Sequence, residues 1–354
     1  MTDRSHTSSG RRTAGTGVPG VSGVIETIAA GLSLAIWRPR LLIVPVLLDL
    51  VLWLGFQMSA QSLTTPLGRV MTRQGGENGD LAAEQLARFG EQAHLNDLLA
   101  WFVPSLFAGV PRDTVLNGLL TFLAPSLMNG VDRERVFAEW GEGVFRIWRP
   151  DHWATVVGVA FVLLVVSSSL LAIFRVPLAQ AVRGGRRGAA RLLVDGAVSW
   201  LRIVGLILLV VLASVLVLGP VSIAAAVALM FGVNLTGLVA LALVFGGGLV
   251  AIYTLFTVDA IVLGRVGPLH GLRLSYAVVR ANFGPSMRFA LTSMLIATGS
   301  FRLWQELVST PPGIVVSLLG NAIVGTGLVL ASMMFFYDRI RLLPRGEPQA
   351  GRDH

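Results

Sequence analysis

Residues 203 to 258, IVGLILLVVLASVLVLGPVSIAAAVALMFGVNLTGLVALALVFGGGLVAIYTLFTV, form a run of 56 positions without one charged side chain. A soluble core does not require such a run, whereas the hydrocarbon of a bilayer does. As one helix it would extend about 84 Å at 1.5 Å per residue, against a core of about 30 Å, so the chain must fold back inside it. The spacing predicts two spans divided near Phe231 to Leu235, where Gly232 and Asn234 lie. Gly219-Pro220 is expected to kink the first of the pair rather than end it.

The rest of the chain agrees with this solvent. Apolar residues make up 54% and charged residues 14%, with a mean hydropathy of +0.71, well away from soluble domains, in which about a quarter of residues are charged. All 28 basic residues are Arg, for a formal charge of +8, and this excess reads as a topology signal rather than a nucleic-acid site. The absence of Cys excludes disulfides, thiolate metal sites and cysteine nucleophiles. Residues 1–20 lack apolar periodicity and are expected to be a disordered cytoplasmic tail; they do not match a signal peptide.

Outside the central run, Leu41 to Met58 and His152 to Phe174 read as the first and second spans. Ile314 to Tyr337 reads as the sixth. A fifth is expected over 289–301, short enough that Arg288 and Arg302 must snorkel to the headgroups, with Glu306 four residues after Arg302 to offset its charge. Arg counts then set the sidedness. Residues 1–40 hold five, 175–202 six, 258–288 four and 338–354 four, while the intervening short connections are nearly bare. By the positive-inside rule both termini face the cytoplasm of a cytoplasmic (inner) membrane. The division expected is therefore a tail at 1–20, a surface helix plus first span at 21–58, an external and largely helical segment at 59–151, a five-span bundle at 152–337 and a cytoplasmic tail at 338–354.

Three stretches preceding spans read as amphipathic helices on the membrane surface. In one, Leu269, Leu272, Tyr276, Val279 and Phe283 recur at helical spacing opposite His270, Arg273 and Arg280. A second covers 189–202. In the third, Val21, Val24, Ile25, Ile28, Leu32 and Ile36 share one side. In the external segment Asp80 is expected to cap a helix running through Leu81, Leu86 and Phe89. Beyond it, Leu95, Leu98, Leu99, Trp101, Phe102, Leu106 and Phe107 make an apolar cluster that, with Val115 to Val131, dips toward the outer interface. The fold class expected is an all-α integral membrane protein of about six transmembrane helices with cytoplasmic interfacial helices.

The stretch from Asp259 through Arg265, Gly267-Pro268, Ser275-Tyr276, Arg280 and Asn282-Phe283 resembles bacterial multi-pass membrane proteins akin to the membrane domain of glycerophosphodiester phosphodiesterases. The resemblance covers roughly residues 180–340. It implies surface helices alternating with spans, and no reaction, because the phosphodiesterase catalytic domain has no counterpart here.

Among single residues, Asp49 stands out as an acid near the middle of a span, which is costly enough to mark a functional candidate. Counting residues by depth sets Ser167, Ser168, Tyr253 and Thr254 near its level. Two readings stay open: a structural hydrogen bond inside the bundle, or a proton or cation site. Asp259 is expected to pair with Arg265 at the inner interface, and Asn321 to bond between helices. Gly246-Gly247-Gly248 lacks the context of a phosphate loop and reads as close helix packing. Arg183, Arg186, Arg187, Arg273 and Arg280 are expected to meet anionic lipid headgroups. Glu91, His94 and Asp97 share a helical face, more simply a solvated face than a metal site. No nucleophile with a base, paired catalytic carboxylates or ATP motif is found, so no cofactor, metal or nucleic acid is expected. The partners expected are the bilayer, anionic headgroups, and membrane proteins or further copies of the chain. The reading is a non-catalytic membrane-organising or envelope-assembly component; the alternative is a small-solute or proton-coupled carrier using Asp49.

Overall fold

The computed structural model describes residues 22–55, 57–58, 61–92, 95–100, 103–106, 147–148, 150, 152–185, 188–231, 233 and 235–343. The expected tail at 1–20, Arg186, Arg187, His94, the side chains of Glu91 and Asp97, and the run 115–131 lie outside what is described. The described chain is helical: α1 (Val24–Trp37), a 3-10 turn (Pro39–Leu42), α2 (Ile43–Leu54), α3 (Gln61–Gln92), a second 3-10 turn (Leu95–Ala100), α4 (Trp153–Arg183), α5 (Ala189–Met230), α6 (Thr236–Thr254), α7 (Thr257–Gly264), α8 (Pro268–Ala281), α9 (Phe283–Leu307) and α10 (Pro311–Ile340). A two-residue parallel bridge joins Gln57–Met58 to Ile147–Trp148.

Four helical stretches are long and apolar enough to cross a membrane: Trp153–Arg183, Ala190–Ala225, Phe245–Gly264 and Pro312–Ile340. They make the chain an all-α membrane protein. The other two expected spans are not among them. In place of Leu41 to Met58 stands a 3-10 turn followed by α2, whose 12 residues reach only about 18 Å. The expected span at 289–301 lies within α9, which is 25 residues long but carries Arg288, Arg302 and Glu306.

The central run divides where its glycine and asparagine predict, between Met230 and Thr236, and α5 continues through Pro220. The expected surface helix at 189–202 is not separate: it is the first part of α5, whose 42 residues extend about 63 Å. Asp80 likewise caps nothing, because α3 begins at Gln61 and passes through it.

Small side chains decide which faces meet. The helix α1 runs against α10, where a Cβ on Gly31 would stand 2.4 Å from the Gly327 carbonyl oxygen and 2.6 Å from the Ala331 nitrogen. Its buried residues are Thr27, Ile28, Gly31 and Ala35, while Ile25 and Ile36 of the expected apolar side are exposed, as is Trp37 at the helix end. In α8 the buried face is Gly271, Ser275, Val278 and Val279, and Leu269, Tyr276 and Phe283 look outward. The triple glycine behaves differently at two of its positions: a Cβ on Gly246 or Gly248 would meet nothing within 4 Å, so neither makes the close packing expected there. At the centre, Phe256 from the break between α6 and α7 stacks on Phe335 of α10 at 5.3 Å, and Phe289 of α9 lies 4.7 Å from the same ring.

Candidate functional site

Asp49 lies on the inward face of α2 and is completely buried. Its Oδ1 accepts the Ser105 hydroxyl at 2.5 Å and the Leu106 backbone N–H at 2.8 Å. Ser167, also completely buried, donates from α4 to the Leu99 carbonyl at 3.1 Å. On a third side Pro104 presses against Gly325 of α10, where an added Cβ would come within 2.4 Å of the proline ring. Ser167 is the fifteenth residue of α4 and Gly325 the fifteenth of α10, in helices of 31 and 30 residues. Leu99 and the described residues Pro104, Ser105 and Leu106 therefore meet the middle of two membrane-length helices. Backbone that is not α-helical at such a position must find its hydrogen bonds within the protein. Asp49 and Ser167 supply them.

The other residues expected at this level turn elsewhere. Ser168 donates to the Val165 carbonyl at 2.8 Å and accepts the Trp200 indole N–H at 3.0 Å, which fastens α5 to α4. Thr254 donates to the Val250 carbonyl in its own helix. Tyr253 packs on Tyr276, with ring centroids 5.1 Å apart, and its carbonyl accepts the Ser275 hydroxyl at 2.8 Å. The same hydroxyl accepts the Phe256 N–H at 3.1 Å, so a side chain of α8 restores the backbone bonding lost where α6 gives way to α7.

A second polar centre joins α4, α7 and α10. Asp259, 1% exposed, takes Arg175 on Oδ1 as an ion pair and the Ser332 hydroxyl on Oδ2 at 2.5 Å. The expected partner Arg265 pairs with Asp195 instead. Six residues of helix turn through about 600°, which sends positions 259 and 265 to different faces, and Arg265 itself ends α7 in the left-handed conformation at φ 53°. Arg183 donates to the Val262 carbonyl at 3.2 Å; Arg273 and Arg280 are exposed. Asn321 Nδ2 is buried with no acceptor among the described residues, so the interhelical bond expected there is missing. Among the described residues no three His, Asp or Glu side chains gather as a metal site.

Sequence reasoning missed Ser105 and Leu106 as partners of Asp49, Leu99 as the partner of Ser167, and Arg175 and Ser332 as partners of Asp259. Arg175 had a readable signal, since it follows an uncharged stretch from Trp153 to Phe174 within one helix and gains from an acid at that depth. No protein-family model, curated protein or solved structure matches the chain.

Proposed function

We propose that this protein is a non-catalytic, six-span component of a bacterial-type cytoplasmic membrane, with both ends inside, that organises the membrane or assists envelope assembly by lateral association. The observation that carries this reading is the exposure of α5: only 6% of its most apolar stretch is buried in the chain's own fold. Leu208, Leu212, Val215, Leu216 and Ile223 all project outward. A membrane-length helix that packs so little on its own protein leaves its sides open to lipid or to other membrane proteins. In this reading α2 and α9 complete the six crossings, and the buried acids serve as interior fastenings, Asp49 for a turn and Asp259 for three helices. The resemblance of residues 180–340 to the membrane domain of glycerophosphodiester phosphodiesterases supports the same arrangement.

The test is photo-crosslinking in intact cells from unnatural residues at Leu212 and Leu216, with Phe336 in the aromatic core as an internal control. Discrete protein adducts from the α5 positions and none from the control are expected. Lipid adducts alone from α5, together with solute uptake into proteoliposomes that Asp49→Asn removes, would replace this reading with the carrier.

A further inference from the structure

We propose that the end of the bundle where α9 begins and α10 finishes holds a phosphate group, received by the Nε–H edge of Arg339 and the hydroxyl of Ser286. Arg339 is 4% exposed and its Nε has no hydrogen-bond partner; Ser286 is 0% exposed and its Oγ has none either. The rest of the guanidinium is accounted for. Its Cζ lies 3.3 Å from the centroid of the Phe335 ring, and Nη1 donates to the Phe335 carbonyl at 3.4 Å. Among the described residues no acid pairs with it. Asp338, next to it in α10, accepts the Ser22 hydroxyl at 2.9 Å, while Asp259 takes Arg175 and Asp195 takes Arg265. A buried cation left in this state is costly, so the fold gains from admitting an anion.

Helix pairing brings the two groups to one level. Phe289 of α9 lies 4.7 Å from Phe335 of α10. Fifteen residues further along α9 and fifteen back along α10, the Trp304 ring lies on Gly320, where a Cβ would come within 2.3 Å of it. One antiparallel register satisfies both contacts. In it Ser286, a turn before Phe289, stands level with Arg339, a turn beyond Phe335, and each shares the facing side of its helix. Both groups can donate, and Nε can do nothing else, so the missing partner is an acceptor, and the buried charge selects an anion. The start of α9 adds to that preference: it has no side-chain cap, and a helix N-terminus favours negative charge. A phosphate presents several acceptor oxygens to donors that converge from two helices. Gly284, Pro285 and Arg341 at this end are exposed, so the group enters from outside the bundle, either as a free ion or on a lipid headgroup.

The experiment is thermal unfolding of the full chain, stripped of lipid in neutral detergent and followed by tryptophan fluorescence, with inorganic phosphate as the probe and chloride at equal ionic strength as the control. Phosphate is expected to raise the unfolding temperature by roughly 2 to 4 °C and to saturate, and chloride to do neither. Arg339→Gln is expected to raise the half-saturating concentration about tenfold and Ser286→Ala about threefold. Arg341→Gln, which removes an exposed guanidinium two residues on, is expected to leave it unchanged. The absence of a saturable shift means that water alone fills the gap and overturns the site, as do an equal shift with chloride or equal effects of Arg339→Gln and Arg341→Gln. Should Arg339→Gln fail to accumulate, Ser286→Ala decides, and an unchanged half-saturation in it refutes the site. Native mass spectrometry of the chain extracted from vesicles of phosphatidic acid and phosphatidylcholine separates the sources. One phosphatidic acid retained per chain, and lost in Ser286→Ala or Arg339→Gln, assigns the headgroup; a phosphate shift without such retention assigns the free ion. Neither residue belongs to α5, so lateral association and this site fail separately.

Discussion

At Asp49 a single carboxylate oxygen receives both the Ser105 hydroxyl and the Leu106 N–H, so the turn depends on an acceptor at that point more than on a charge. Asp49→Asn preserves an oxygen there and is expected to cost less than about 1 kcal/mol. Asp49→Leu strands two buried donors, each worth about 1 to 3 kcal/mol, and is expected to lower membrane accumulation and thermal stability in detergent. Equal losses for both variants would mean that the charge itself is required. Asp259 is the opposite case. Asp259→Asn leaves Arg175 unpaired and is expected to destabilise by about 3 to 5 kcal/mol, whereas the double change Asp259→Leu with Arg175→Met recovers most of it, because a buried pair exchanged for apolar groups of similar volume is often neutral. A double-mutant cycle on unfolding temperature measures this. Both acids were legible as exceptional from their apolar surroundings alone. Their partners were not: Ser105 is 56 residues from Asp49 and Arg175 is 84 from Asp259, and no local spacing encodes such a meeting.

For whole elements, helical periodicity was legible, but the face turned inward was not. In α1 and α8 several members of the expected apolar stripe, Ile25, Ile36, Leu269 and Tyr276, look outward, and Gly31, Ala35, Gly271 and Ser275 are covered beside Ile28 and Val279. Lipid tails are as apolar as Leu, so burying a large side chain between helices gains little, and small residues win because they let backbones approach. The two kinds of glycine in this chain test that account. Gly31→Leu drives a side chain into backbone atoms of α10 and is expected to cost about 1 to 3 kcal/mol or more, as overpacking does. Gly248→Ala meets open space and is expected to be neutral or stabilising by up to about 1 kcal/mol, since Gly weakens a helix interior. Thermal unfolding of the two variants side by side checks the contrast. Helix lengths were harder to read than their existence: nothing in composition shows that 189–202 continues without a break into the span, or that α3 starts at Gln61.

For the molecule as a whole, the decisive prediction concerns sidedness. With six crossings, a tag at either end and one in the 184–188 connection are expected to be protected in intact spheroplasts, and a tag at Val233, between α5 and α6, to be accessible. Tags at the two ends in opposite compartments would require an odd number of crossings. The uncharged central run and the α4 and α10 helices were plain in the sequence. The two further crossings expected at 41–58 and 289–301 fall on α2 and α9, which are not among the helices long and apolar enough to cross by themselves, so any such passage depends on support from the rest of the bundle. That support is contributed late. Pro104 is wedged against Gly325, and Gly31 meets Gly327, 296 positions further along the chain. A ribosome must finish α10 before α1 or the turn can settle, so a nascent polypeptide halted before Pro311 holds its early segments without a final seat. Such an intermediate is expected to be cut more readily by membrane proteases than the finished chain, which pulse-labelling of chains truncated before Pro311 checks.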